Sequence, residues 1–218
     1  MPVIQTIIPE KNLRIGLWHI TEPEKDLRSL IVLNPFDEKL FERMKNEKRR
    51  KQWLAYRVLL QQLWKEIPIE IVYDRFGKPG VSNIENMTFS ASHSGEYAAV
   101  IAGLGFQVGI DIEKITPRLL RVKERFLSEG ELNDIGPSHD LDKLSIYWCG
   151  KEALYKVYGR PEVDLRNDIY IHSFEYICNT SGYCRASLTC PEIIKEFTLC
   201  YKKLGDYMLA YTHDQRYL

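Results

Sequence analysis

Apolar and polar positions alternate from Leu13 to Ile20 closely enough to predict a strand with one buried face. From about Asp37 to Glu66 the pattern changes: Trp53, Tyr56, Leu60, Leu63 and Trp64 recur at helical spacing, no proline interrupts, and Pro68 stops the run. One long amphipathic helix is the expectation. Ile69 to Tyr73 reads as a short strand entering a tight Asp74 to Gly80 loop, and Met87 begins a strand that runs into Ser92-His93-Ser94-Gly95. Tyr97 to Leu104 is a continuous apolar run, and Gly103 to Gly105 turns it into Phe106 to Glu113. Arg118 to Phe126 and Glu129 to Ile135 read as short helices, the second capped by Ser128. Leu141 to Tyr158 is the central helix, with Asp142 in its first turn and Gly159 just past its end. Strand-like segments follow at Asp168 to Cys178, Cys184 to Cys190, Glu196 to Lys202 and Asp206 to Tyr211, a meander expected to cover that helix. Helix and strands thus occur in both halves, which predicts two lobes meeting near residues 103 to 113.

Length changes this picture little, since 218 residues suffice for one sizeable core or two small lobes. Lys plus Arg and Asp plus Glu balance at 30 each, so the whole molecule has no long-range attraction for nucleic acid or anionic membrane. Any anion site must be local. No apolar run has transmembrane length, and Met1 to Glu10 lacks the form of a signal peptide, so a cytoplasmic protein is expected. The five cysteines are never spaced as CxxC and read as idle or buried thiols of a reducing compartment.

Four places carry candidate chemistry. Helical spacing stacks Trp148, Glu152 and Lys156 on one stripe, which is either a surface ion pair or part of a site. Phe41 to Lys51 concentrates positive charge, and Arg43, Arg50 and Arg57 recur every seven residues, a geometry either solvated or fit for phosphate oxygens. Gly77-Lys78-Pro79 and Ser92-His93-Ser94 are loops that could place backbone amides, an ammonium and an imidazole beside a ligand. Asp111 and Glu113, two apart in a strand, project from one face, either as a strand end turning out into water or as a pair whose repulsion a hard cation such as Mg²⁺ would relieve. Glu131 is either the capping-box partner of Ser128 or a further carboxylate near the metal.

Val108-Gly109-Ile110-Asp111-Ile112-Glu113, followed by Trp148-Cys149-Gly150-Lys151-Glu152-Ala153-Leu154-Tyr155-Lys156, resembles the paired signature of 4′-phosphopantetheinyl transferases. Gly77-Lys78-Pro79, Ser92-His93-Ser94-Gly95 and the basic helix extend the likeness to the longer, surfactin-synthetase-activating type over roughly residues 40 to 160. Cys149 stands where that family usually has serine. The resemblance implies an α+β monomer of two pseudo-symmetric lobes, 1–104 and 105–218, each a small, mostly antiparallel sheet on a long helix, with the active site between them. It implies transfer of the phosphopantetheine arm of coenzyme A to a serine of an acyl or peptidyl carrier protein, releasing adenosine 3′,5′-bisphosphate. Asp111, Glu113 and Glu152 would then hold Mg²⁺ or Mn²⁺; Glu152, directly or through a water, would take the serine proton; and Lys156, with Lys151 nearby, would neutralise the pyrophosphate. Arg50, Arg57 and His93 would meet the 3′-phosphate, Gly77, Lys78 and Pro79 the adenine, and Ser92 a phosphate, with Asp111 also at the coenzyme. Carrier proteins of this kind are acidic, so an apolar patch edged by basic residues is expected beside the cleft. An inactive coenzyme A-binding module and an Mg²⁺-dependent nuclease are the competing readings. Retention of all three carboxylates disfavours the first, and Glu113, standing where a nuclease would want lysine, disfavours the second.

Overall fold

In the computed structural model, residues 4–65, 67–137, 140–178, 180–190 and 193–215 are described. In chain order the elements are β1 (Ile4–Glu10), β2 (Leu13–His19), α1 (Glu24–Ser29), α2 (Pro35–Arg43), α3 (Glu47–Leu63), β3 (Ile71–Tyr73), β4 (Pro79–Val81), β5 (Met87–Ser94), β6 (Tyr97–Leu104) and β7 (Phe106–Lys114). Then follow α4 (Arg118–Val122), a single 3₁₀ turn (Lys123–Arg125), α5 (Glu129–Ile135), α6 (Leu141–Tyr158), β8 (Ile169–Ile171), β9 (Ser181–Cys190), β10 (Ile193–Leu204) and β11 (Tyr207–Gln215). The fold is α+β. One antiparallel sheet runs β1-β2-β6-β5, a second runs β7-β11-β10-β9-β8, and β3 pairs with β4 in a small hairpin.

Strand alternation explains how the layers join. On β6, Ala98, Val100 and Ala102 face α3 and pack with Leu54, Val58 and Leu60. Its other face offers Ala99 and Ile101, which join Leu13 and Ile15 of β2 to Val108, Ile110 and Ile112 of β7. A strand covered on both faces needs apolar residues at every position, as the run from Ala98 to Ala102 has. The second sheet buries its own core under α6, where Leu144, Tyr147, Leu154 and Val157 meet Ile169, Ala186, Leu199 and Met208.

The long helix expected from Asp37 is two helices. The chain leaves helical geometry at Met44, and Asn46 restarts it by accepting a hydrogen bond from the Arg49 amide at 3.0 Å. The second helix closes at Leu63, ahead of Pro68; Glu66 lies outside the described residues. The strand expected over Asp168 to Cys178 shrinks to Ile169–Ile171, the residues that find a partner in β9. Strand β1 and helix α1, which the sequence pattern left unassigned, pack on β2 and α3.

Candidate active site

The site is built on β7, where Gly109, Asp111 and Glu113 share the face opposite Val108, Ile110 and Ile112. Gly109 sets how near α6 comes. A Cβ there would lie 2.0 Å from the Ala153 carbonyl oxygen and 2.8 Å from Val157, so only glycine lets the helix backbone rest on the strand. Gly150 does the same one turn earlier, where a Cβ would lie 2.4 Å from Leu199. Contact at this range delivers the α6 side chains to Asp111. Lys156 Nζ donates to Asp111 Oδ1 at 2.7 Å and to the Ile110 carbonyl at 3.1 Å.

Strand β5 closes the other side with a ladder of hydroxyls at every second residue. Thr88 Oγ1 donates to the Phe106 carbonyl, Ser90 Oγ accepts from the Ile110 amide, Ser92 Oγ donates to Asp111 Oδ1 at 2.7 Å, and Ser94 Oγ donates to Glu113 Oε2 at 2.7 Å. These bonds join the edge strands of the two sheets and hold both carboxylates in place. Asp111 Oδ1 is therefore doubly bonded, whereas its buried Oδ2 has no hydrogen-bond partner. The Cys149 thiol lies beside Asp111 from α6 and also reaches the Met208 carbonyl at 3.5 Å.

These groups line a cleft of about 410 Å³ bounded by Tyr56, Pro79, Ala91, Ser92, His93, Asp111, Glu113, Trp148, Glu152 and Lys156. It shares Pro79, Ala91 and Lys156 with a second cavity of about 230 Å³ under Gly77 and Lys78. On the opposite side it shares Glu113 and Trp148 with a third, of about 660 Å³. One groove thus crosses the carboxylates. Burial pushes the Glu152 carboxyl above the usual range, and the Asp111 and Glu113 charges push it further, against Lys156. Burial also raises Glu113, opposed by the Ser94 hydrogen bond. His93 is held below its ordinary value by burial, with Lys156 and Arg49 adding repulsion.

The structure brings together Gly77, Lys78, Pro79, Ser92, His93, Asp111, Glu113, Glu152 and Lys156, and places three other expected residues elsewhere. Arg57 is buried, paired with Asp37 at 2.7 Å, bonded to the Tyr73 hydroxyl and stacked 3.5 Å over Trp53; its guanidinium ties α3 to α2 and β3. Lys151 is fully buried on the far side of α6, where its ammonium meets Glu131 at 2.7 Å and the carbonyls of Leu165 and Ile169, so it is not a second cation of the cleft. Arg50 pairs with Glu24 at 2.7 Å and donates to the Met44 carbonyl. Glu131 closes the capping box with Ser128 and also accepts from the Ile171 amide, which makes it a cap and a buried counter-ion away from the carboxylate cluster. Lys78 lines the groove, and its ammonium donates to the Val157 and Tyr158 carbonyls at the end of α6. Tyr56 and Arg49 also stand at the site, although the sequence pattern marks each only as one more member of a helix face.

The model of the 4′-phosphopantetheinyl transferase superfamily matches residues 107–212. The 4′-phosphopantetheinyl transferase AcpT of Escherichia coli (strain K12) is 32% identical over 136 residues, 60% of this chain and 69% of that protein. The chain belongs to this superfamily. AcpT of Salmonella typhi is 35% identical over 51% of the chain and 60% of its own length, and the transferase Sfp of Bacillus subtilis (strain 168) is 36% identical over 39% of each. As a superfamily member the chain is an enzyme of the transferase class. The matched span carries the β7 carboxylates and the α6 pair, while Lys78 and His93 come from the part that precedes it. The donor set suits a hard divalent cation: Asp111 Oδ2 is buried with only the weak Cys149 thiol beside it, and the two glutamates repel one another and Asp111. Among the described residues no three His, Cys, Asp or Glu side chains already stand grouped to hold a metal, and Asp111 is paired with Lys156.

Proposed function

We propose that this chain moves the 4′-phosphopantetheine arm of coenzyme A to a serine of an acyl or peptidyl carrier protein, with Mg²⁺ or Mn²⁺, acting as a monomer with lobes divided at residues 104 and 105. The observation that carries this reading is the meeting of Asp111, Glu113, Glu152 and Lys156 in one cleft continuous with the cavity under Gly77 and Lys78. Adenine lies along the 77–79 segment and the 3′-phosphate against His93, with Arg49 rather than Arg57 supplying nearby positive charge. Asp111, Glu113 and Glu152 would hold the cation, which when bound would neutralise charge on the pyrophosphate. The serine oxygen bonds to the phosphorus that bears the pantetheine arm, the bond to the bridging oxygen breaks, and adenosine 3′,5′-bisphosphate leaves with the electron pair. Glu152 takes the serine proton, and Lys156 balances charge on the departing phosphate.

The third cavity suits the carrier. Leu119, Val122, Phe126 and Trp148 form an apolar floor beside Glu113, and Lys114, Arg118 and Arg125 edge it with positive charge, as an acidic helix end requires. The test is the intact mass of an apo carrier protein incubated with this protein, coenzyme A and Mg²⁺. A gain of one phosphopantetheine arm, lost with Glu152→Gln and on chelation, is expected. No gain on acyl and peptidyl carriers alike, with coenzyme A still bound, would reject transfer.

A further inference from the structure

Three carboxylates line the cleft, and among the described residues of its lining the only ammonium belongs to Lys156. That ammonium is fixed at two points, Asp111 Oδ1 and the Ile110 carbonyl, while Ser92 takes up the same carboxylate oxygen. Ser94 engages Glu113 in parallel. The cluster is thereby neutralised in part by the protein's own cation, and no metal-holding group of three side chains stands ready among the described residues. We infer that Lys156 is the resident cation of this cluster: its ammonium takes the place of a divalent ion, and the ion enters only as Lys156 gives up Asp111.

The side chain has somewhere to go. It is 28% exposed, and it lines both the carboxylate cleft and the adjoining cavity under Gly77, where anionic groups of a substrate would receive it. A substrate phosphate arriving there draws the ammonium off Asp111, leaving Oδ1 with the Ser92 hydroxyl alone, so anion and cation bind in concert through one side chain. The inference rests on the proposed assignment of Asp111 as a metal ligand, and it concerns binding rather than turnover.

The experiment is calorimetric titration of Mn²⁺ into metal-stripped protein without coenzyme A, for the wild type, Lys156→Met, Lys156→Arg and Asp111→Asn. Removing a unit charge in direct contact with a ligand should tighten Mn²⁺ binding by about tenfold or more in Lys156→Met. Lys156→Arg should stay as weak as the wild type, and Asp111→Asn should abolish the gain when combined with Lys156→Met. Equal affinity of wild type and Lys156→Met, both lost with Asp111→Asn, would overturn the inference and leave the metal assignment standing. Binding indifferent to Asp111→Asn in every background would overturn both. Circular dichroism checks folding, and Lys156→Gln replaces Lys156→Met if the latter does not fold.

Discussion

Gly109→Ala tests the mechanical basis of the site without touching a charged group. The added Cβ would sit 2.0 Å from the Ala153 oxygen, 2.9 Å from its carbonyl carbon and 2.8 Å from Val157 Cγ2. Two of these atoms are backbone, so rotamer changes cannot clear the first overlap, and α6 must lift by roughly 1 Å or more to restore ordinary contact. Overpacking of this kind costs about 1–3 kcal/mol. For a chain of this size that lowers the melting temperature by about 2 to 12 °C. The lift acts directly on the 2.7 Å contact between Lys156 and Asp111, and on Glu152 one turn away. A misplacement of that order in a reacting constellation lowers turnover by ~100-fold. The assay pairs thermal unfolding with the rate of phosphopantetheine transfer to an apo carrier. Gly80→Ala is the control, because its Cβ would meet nothing within 4 Å. Rates and melting temperatures of Gly109→Ala within error of the control would refute the claim that close helix approach assembles the site.

Three further outcomes follow from the electrostatics. Burial raises the Glu152 carboxyl in the folded protein, so it detracts from stability once pH rises above the usual carboxylate range; Glu152→Gln should therefore melt higher than the wild type at pH 7 in chelator, an advantage that shrinks as pH falls into the carboxylate range, measured by thermal scans across pH, while transfer falls by orders of magnitude. Lys151→Met leaves Glu131 buried without its counter-ion and should cost about 3–5 kcal/mol in denaturant unfolding, part of which returns when Glu131→Gln is added. Burial holds His93 below its ordinary value in the free protein, so the imidazole takes up a proton when a phosphate is set against it. The preference for coenzyme A over its 3′-dephospho form should widen as pH falls from neutrality and flatten in His93→Gln, as read by calorimetry.

What was legible in the sequence follows from where each residue's partner lies. The period-two hydroxyls Thr88, Ser90, Ser92 and Ser94 face β7 as strand alternation requires, and Glu152 and Lys156 share a face because a helix makes it so. Arg57 and Lys151 illustrate the opposite case. Each is a cation on a helix near a motif, and nothing within a turn of either distinguishes a phosphate ligand from a buried strut. The deciding partners, Asp37 and Glu131, lie 20 residues away along the chain, across a break at Met44 and a turn ahead of α6. The break itself is carried by one capping side chain, Asn46, inside a run of strong helix formers, so local propensity favours a continuous helix. Lys78 falls between the two cases. Its loop reaches the groove as expected, yet its ammonium lies on the last carbonyls of α6, where the helix dipole favours positive charge. That contact joins the β3–β4 hairpin to the helix that carries Glu152 and Lys156. A ligand pressing on the 77–79 segment is thus mechanically connected to both residues, which a loop read as an isolated turn could not convey.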